Sequence, residues 1–381
     1  TATGPMPPLA KFAAAPFGVV EAGSAGEPAL LPITLRHVQA LAPGLDGTAQ
    51  LAAKRLGADT ADAELMRWHA RLARWHESSF TAKEAGQPQA RWWLEGRDED
   101  GKPQRQERRV GSRELSLLAG ESGVTRTPLP RPPSAAASVA AAASAAVAAP
   151  VRDTEVLGLP LPQPGYHLLE LESRLLGRAL LAEPAPMYVR SGVLVTRMGV
   201  HFKRGRSSSL VWVTSLDRAR PVVGADVAVS DCRGQSLWSG RTDAQGLARI
   251  PRGFADEDGE RCIGEAAYFV SARKAWPDGV RDLAFVYSHW MRGIEPWRFG
   301  LATASGVEPE LRAHSVLDRS LLRAGETLSM KHVLRAETER GLALLNASDW
   351  PTELQITHVG SGEVTRLALP ALPALPTPPA G

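Results

Sequence analysis

The chain of 381 residues has only two cysteines, Cys232 and Cys262. That number excludes a disulfide-dense mini-scaffold and any cysteine-rich zinc or iron–sulfur site. Charge of one sign is also lacking: the net charge is +3, and the basic block Arg105–Arg109 has no interleaved aromatics, so it reads as a solvated loop and not as a nucleic-acid surface. Long apolar runs are missing too. The longest candidate, residues 134–149, is nearly all Ala and Ser, too short and too weakly apolar to span a membrane. The opening TATGPMPPLAKF has no basic region followed by an apolar core, so no signal segment is read there. Catalytic signatures are equally scarce: the sequence holds no phosphate-cradling glycine loop and no G-x-S-x-G elbow. His201, His289, His314 and His332 are scattered over separate strands or turns, and nothing supports a Ser/His/Asp triad among them. The reading is of a non-enzymatic protein with no cofactor and no metal.

What is present is a succession of short apolar-alternating segments closed by turns. The run from Tyr188 to Ile250 is the clearest, punctuated by Met198-Gly199, Asp217–Pro221, Asp231–Gly234 and Asp243–Gly246. Thirty Pro and 35 Gly supply such turns throughout. Short strands with turns at this spacing predict an all-β fold of antiparallel β-sandwiches, and the length predicts several of them. One stretch breaks the rhythm. Leu65, Trp68, Leu72 and Trp75 recur at helical spacing after a capping Asp59 or Thr60, which predicts an amphipathic helix packed on a neighbour. His69 and His76 lie on that helix without Cys, Asp or Glu partners at ligand spacing, so no metal site is expected.

The expected organisation is three sandwiches in series. The first spans 1–176 and carries a helical and charged insertion at about 48–150. The second spans 177–302, after a linker at Gly177–Pro186. The third spans 303–381 and is truncated. Strand expectations include Arg91–Leu94, Glu114–Leu118, and a pair at Thr154–Leu161 and Tyr166–Glu172. The segment 128–150, rich in Ala, Ser and Pro, reads as a loop open to proteases around Ala135, Val139 and Val147. Both ends read as edges of a larger protein.

The two cysteines, thirty residues apart in one sandwich, suit a disulfide in an oxidising compartment; two buried thiols are the alternative. A loop of that length would add roughly 3–4 kcal/mol in the chain-entropy model. Cys232 and Gln235 also stand at the spacing of an internal thioester. The tetrapeptide Cys232–Gln235 reads instead as a hairpin turn between strands, with Cys262 as the partner of Cys232. Trp290 and Trp297 bracket a W-x-x-G-I-E-P-W motif and read as packing an interdomain seam.

Three passages together resemble the bacterial α2-macroglobulin family, large periplasmic proteins akin to animal α2-macroglobulin and complement components. Asp318–Lys331 (DRSLLRAGETLSMK) is similar to that family's D-R-x-x-Y-R-P-G-E-x-V-x-x-K strand–turn–strand, with Leu322 for Tyr and Ala324 for Pro. Residues 208–250 resemble its W-V-T-S-L…P-V-x-G-A-x-V…D-x-x-G…T-D-x-x-G-x-A pattern, and Gly165–Arg190 resembles a linker of the bacterial branch. The resemblance implies macroglobulin-type, Ig- or fibronectin-like sandwiches. It implies a scaffold fragment, without the thioester, of a broad-spectrum protease trap guarding the cell envelope. Its implied partners are target proteases and cell-envelope proteins such as a penicillin-binding protein or proteins encoded alongside. Nucleic acid and a direct membrane span are not implied, and the expected state is a monomer. A surface adhesin or protein-interaction module of tandem Ig-like domains is the alternative.

Overall fold

The computed structural model describes residues 6–23, 27–36, 49–86, 92–129, 154–205, 208–255, 259–290, 295–300, 311–323, 325–338 and 341–370. The expected protease-sensitive positions Ala135, Val139 and Val147 lie outside the described residues. The chain divides into two compact units, Thr1–Trp290 and Met291–Gly381.

In chain order unit 1 opens with β1 (Leu9–Phe12), β2 (Phe17–Glu21), β3 (Ala29–Arg36) and β4 (Gln50–Leu56). The insertion follows as helix α1 (Asp62–His76), β5 (Ser79–Phe80), the short α2 (Ala82–Ala85), and a hairpin of β6 (Trp93–Arg97) and β7 (Pro103–Glu107). Then come β8 (Val110–Gly111), β9 (Val124–Pro128), β10 (Thr154–Leu161), β11 (Gly165–Ser173), α3 (Arg174–Leu180) and β12 (Met187–Thr196).

Two sheets face each other: a three-stranded one ordered β1-β3-β10 and a five-stranded one ordered β2-β12-β11-β4-β9. Between them Phe12, Leu31, Ile33, Leu35 and Leu159 meet Leu169, Leu171, Val193 and Val195. The other face of the five-stranded sheet is covered as well, by α1 and the insertion. This is why β11, YHLLELE at its centre, is buried along almost its whole length. A strand covered on both faces cannot show clean alternation.

The structure departs from the sequence reading in several places; α1 is preceded by Ala61 with no side-chain cap, and not capped by Asp59 or Thr60. Thr154–Leu161 and Tyr166–Glu172 are not partners: β10 pairs with β3 and β11 with β4 and β12, so Pro164-Gly165 crosses from one sheet to the other. The expected linker at Gly177–Pro186 begins inside helix α3, which is capped by the Ser173 hydroxyl accepting from the Leu176 N–H and places Leu176 in the first core. The strand that opens at Met187 therefore belongs to the five-stranded sheet. Glu114–Leu118 forms no strand, because its backbone is gripped by side chains from β11 and β12 instead of by a neighbouring strand.

The second sandwich comprises β13 (Met198–Arg204), β14 (Ser209–Ser215), β15 (Asp226–Ser230), β16 (Ser236–Arg241), β17 (Leu247–Ile250), β18 (Phe269–Ala275) and β19 (Arg281–Tyr287). Its sheets are ordered β13-β14-β17 and β16-β15-β18-β19, enclosing Val211, Val213, Val227, Val229, Ile250 and Val270. Every pairing in it is antiparallel, as the turn-punctuated run predicts.

Unit 2 contains β20 (Leu311–Leu317), β21 (Met330–Thr338), β22 (Gly341–Ala343) and the hairpin of β23 (Glu353–Thr357) and β24 (Val364–Ala368). Among its described residues only Leu345 is buried.

Candidate functional site

The densest chemistry lies where the two sandwiches of unit 1 meet. A single residue, Arg197, separates β12 from β13. Its N–H donates to Asp282 Oδ2 at 2.9 Å, and its guanidinium pairs with Asp278 at 2.7 Å and lies over the Trp276 ring. Asp282 is buried and also accepts from Trp276 Nε1 and the Leu283 N–H. Burial pushes its carboxyl upward despite those donors, whereas the Arg197 hydrogen bond holds exposed Asp278 below the usual carboxylate range. The connector is clamped, not slack.

Helix α1 is wedged into the same joint. Leu65, Met66, Trp68, Leu72 and Trp75 are buried, as their spacing predicts, and share a core with Tyr166 and Leu168 of β11 and Phe269, Leu283, Phe285 and Tyr287 of β18 and β19. At the start of the helix, Arg273 donates to Asp62 (2.6 Å), to the carbonyls of Ala58 and Thr60, and to Ser271 Oγ; Ser230 and Ser271 hydroxyls donate to the other oxygen of Asp62. A carboxylate in the first turn also complements the helix dipole.

The disulfide belongs to this joint. Cys232 is bonded to Cys262, with Cα atoms 4.8 Å apart. Asp231 Oδ1 accepts from the Arg233 and Gln235 N–H groups and shapes the hairpin turn. The bond ties together two loops that both rest on small residues of α1. A Cβ at Gly234 would fall 2.6 Å from Ala63 Cβ, and one at Gly264 would fall 2.9 Å from Ala70 Cβ. Cys232 is thus not free to form a thioester with Gln235.

His69 sits among the rings of Phe17, Tyr166, Phe285, Tyr287 and Trp290, with centroids 5.0–6.4 Å apart across the group. Its Nδ1 is sealed from solvent and has no hydrogen-bond partner among the described residues, nor has the Tyr166 hydroxyl. Burial, helped by repulsion from His289, lowers the His69 pKa to about 4, so the imidazole is neutral. Burial likewise raises Tyr166 and Tyr287 far above the ordinary phenol value.

Behind α1, Glu170 and Arg190 face each other across β11 and β12 and pair at 2.8 Å, both side chains 2% exposed. Arg190 also donates to the carbonyls of Trp75, Ser112 and Leu115, and Glu170 accepts from Ser116 Oγ and the Leu117 N–H. Beside Arg197 a cleft of about 490 Å³ opens, lined by Glu21, Asp217, Arg220, Lys274 and Trp276 among others.

The remaining sequence candidates do not converge on chemistry. His289 pairs with Glu265, His201 lies against Trp212, and His314 is exposed on β20. His332 Nδ1 meets Ser315 Oγ at 2.8 Å as a cross-strand contact on an exposed sheet face. Trp290 packs in the aromatic group, while Trp297 is 71% exposed. Among the described residues no cluster of His, Cys, Asp or Glu could hold a metal, and no helix is long and apolar enough to cross a membrane. The network around Arg273 and Asp62 was not read from sequence: the partners are some two hundred residues apart, and no local pattern joins them.

Residues 195–306, the second sandwich and the residues just after it, match the family model of the bacterial alpha-2-macroglobulin MG3 domain. That match supports the bacterial α2-macroglobulin family. The fold class is accordingly tandem macroglobulin-type antiparallel β-sandwiches. Among solved structures, native alpha-2-macroglobulin from Escherichia coli spanning domains MG0-NIE-MG1 is 16% identical over 74% of this chain and 66% of that one, with a TM-score of 0.34. The native conformation of the E. coli protein determined by cryo-EM is 17% identical over 95% of this chain and 17% of that one, with a TM-score of 0.39. A Salmonella alpha-2-macroglobulin mutant is 15% identical over 95% of this chain and 16% of that one, with a TM-score of 0.42. The chain thus spans less than a fifth of the length of the latter two. No curated protein matches it.

Proposed function

We propose that this chain is a scaffold segment of a bacterial α2-macroglobulin-like protease trap of the cell envelope, with no catalytic activity of its own. The observation that carries the reading is the MG3-domain match over residues 195–306. The physics of the joint is compatible with it. A trap has to hold some domains rigid while others exchange contacts after a tether is cut. A one-residue connector, a wedged helix and a disulfide-tied seat suit the rigid part. With Cys232 in a disulfide, this segment adds no thioester and acts by shape. The partners on this reading are target proteases and envelope proteins such as a penicillin-binding protein, the compartment is the periplasm, and the protein is a monomer.

The test is to incubate the whole protein that contains this chain with several proteases. The expected result is one early cut, a shift to smaller hydrodynamic size, and a trapped protease that still cleaves small substrates but not large ones. A cut with no compaction and undiminished cleavage of large substrates would overturn the reading. A protein-interaction module without inhibitory activity is the second reading, and the exposed Trp212 favours it.

A further inference from the structure

Strand β14 sends Val211 and Val213 into the core of the second sandwich and therefore turns Leu210 and Trp212 outward, while Thr214 is buried. Register sets their neighbours. Trp212 lies opposite His201 on β13 and Leu247 on β17, and its ring is 5.5 Å from that of His201. Leu210 lies opposite Lys203 on one side and Arg249 on the other. Further along, Leu216 comes within contact range of where a Cβ on Gly199 would stand. The result is a stripe of Leu210, Trp212 and Leu216 across an outer sheet face, with Trp212 42% and Leu216 38% exposed.

One end of the stripe is cationic. Lys203 and Arg249 are exposed at one end and make no ion pair among the described residues. At the other end the turn after Leu216 carries Arg218 and Arg220 with one acid, Asp217, which sits 3.6 Å from Arg218. The nearby Asp243 accepts from the Gln245 and Leu247 N–H groups and keeps its charge, so that end is balanced. Trp is among the side chains enriched at the energetic centre of protein interfaces. The unpaired Lys203 and Arg249 select a negatively charged partner and would speed its arrival. Lys203 and Arg249 stand on strands either side of β14, about 10 Å apart. Their long side chains can reach carboxylates that flank one apolar residue on an extended segment.

We propose that this face docks an extended acidic segment of a partner protein, with an apolar side chain seated on Trp212 and carboxylates on Lys203 and Arg249. The proposal needs only the folded second sandwich. It stands or falls independently of protease trapping.

The test is selection of displayed acidic and basic peptide libraries on the immobilised full chain, followed by binding measurements with the winning peptides. Winners should come from the acidic library and carry a central Leu, Phe or Trp. Trp212→Ala should weaken them at least about tenfold. The double reversal Lys203→Glu with Arg249→Glu should do the same and reverse the salt dependence of any residual binding. All three residues point outward, so thermal unfolding should be unchanged; Lys11→Glu, exposed on β1, serves as the control reversal. The proposal is overturned if the acidic library yields no winner or if the winners bind both variants as tightly as the parent. It is equally overturned if these substitutions instead abolish binding to phosphatidylglycerol vesicles or concentration-dependent self-association.

Discussion

Strand β3 of unit 1 is buried at Ala29, Leu31, Ile33 and Leu35 and turned outward at the positions between, whereas β24 of unit 2 is exposed at every position. Both segments carry apolar residues on an extended backbone, and both pair antiparallel with a neighbour. The difference is what stands opposite. β3 faces a five-stranded sheet that is itself backed by a helix, while in unit 2 Leu321 is 86% exposed and Leu345 is the one buried residue described. Ladder pairing makes a strand; an interior needs a second apolar face at packing distance.

That contrast can be broken most sharply at Arg190. Arg190→Met leaves Glu170 charged and buried, and should destabilise unit 1 by about 3–5 kcal/mol in urea unfolding while any transition of unit 2 stays in place. Adding Glu170→Leu should recover only part of the loss, because the Leu117 N–H and the carbonyls of Trp75, Ser112 and Leu115 remain without those partners. Reducing the disulfide should cost unit 1 roughly 3–4 kcal/mol. Hydrogen exchange should then rise in α1, which rests on both tied loops; unchanged exchange there would show that the helix does not depend on the bond.

The third test uses pH. The folded-state pKa of His69 is lowered from 6.5 to about 4, so between those values the unfolded chain binds the extra proton. The stabilisation is complete above pH 6.5 and is lost as pH falls towards 4, by about 3 kcal/mol for a shift of this size. His69→Phe should flatten that slope in a stability–pH series, with Tyr166, Tyr287, and His289 paired to Glu265 as the remaining titratable neighbours. Fourth, Gly234→Ala should cost about 1–3 kcal/mol, from its φ of +82° and from crowding against Ala63. Ala63→Gly should restore only the steric part. Last and smallest, Leu321→Ser in unit 2 should stay within about 0.5 kcal/mol of the parent.

Features set by neighbours in sequence were legible beforehand. The spacing of Leu65, Trp68, Leu72 and Trp75 marked α1, and Asp-and-Gly turns such as Asp231–Gly234 marked the hairpins of the second sandwich. Of the two readings of Cys232 and Cys262, a disulfide or two buried thiols, the structure holds the disulfide. Features set by distant partners were not legible. The backbone of Glu114–Leu118 has a strand-like composition, but Arg190 and Glu170 occupy its hydrogen-bonding groups. The candidate joint depends on Asp62, Arg273, Arg197 and Asp282, ordinary polar residues whose meaning comes only from a fold that brings them together.

One pairing described above bears on how such a chain comes to exist. β2 lies parallel to β12, with Phe17 opposite Gly192, and α1 finds its full seat only when β18 and β19 are in place. A chain emerging vectorially from a ribosome or a translocation channel would carry β2 unsatisfied until more than half of these residues had been delivered. Long-range closure of this kind folds slowly and leaves apolar strands exposed meanwhile. The architecture that makes unit 1 rigid once finished therefore delays its completion until β12, β18 and β19 have been made.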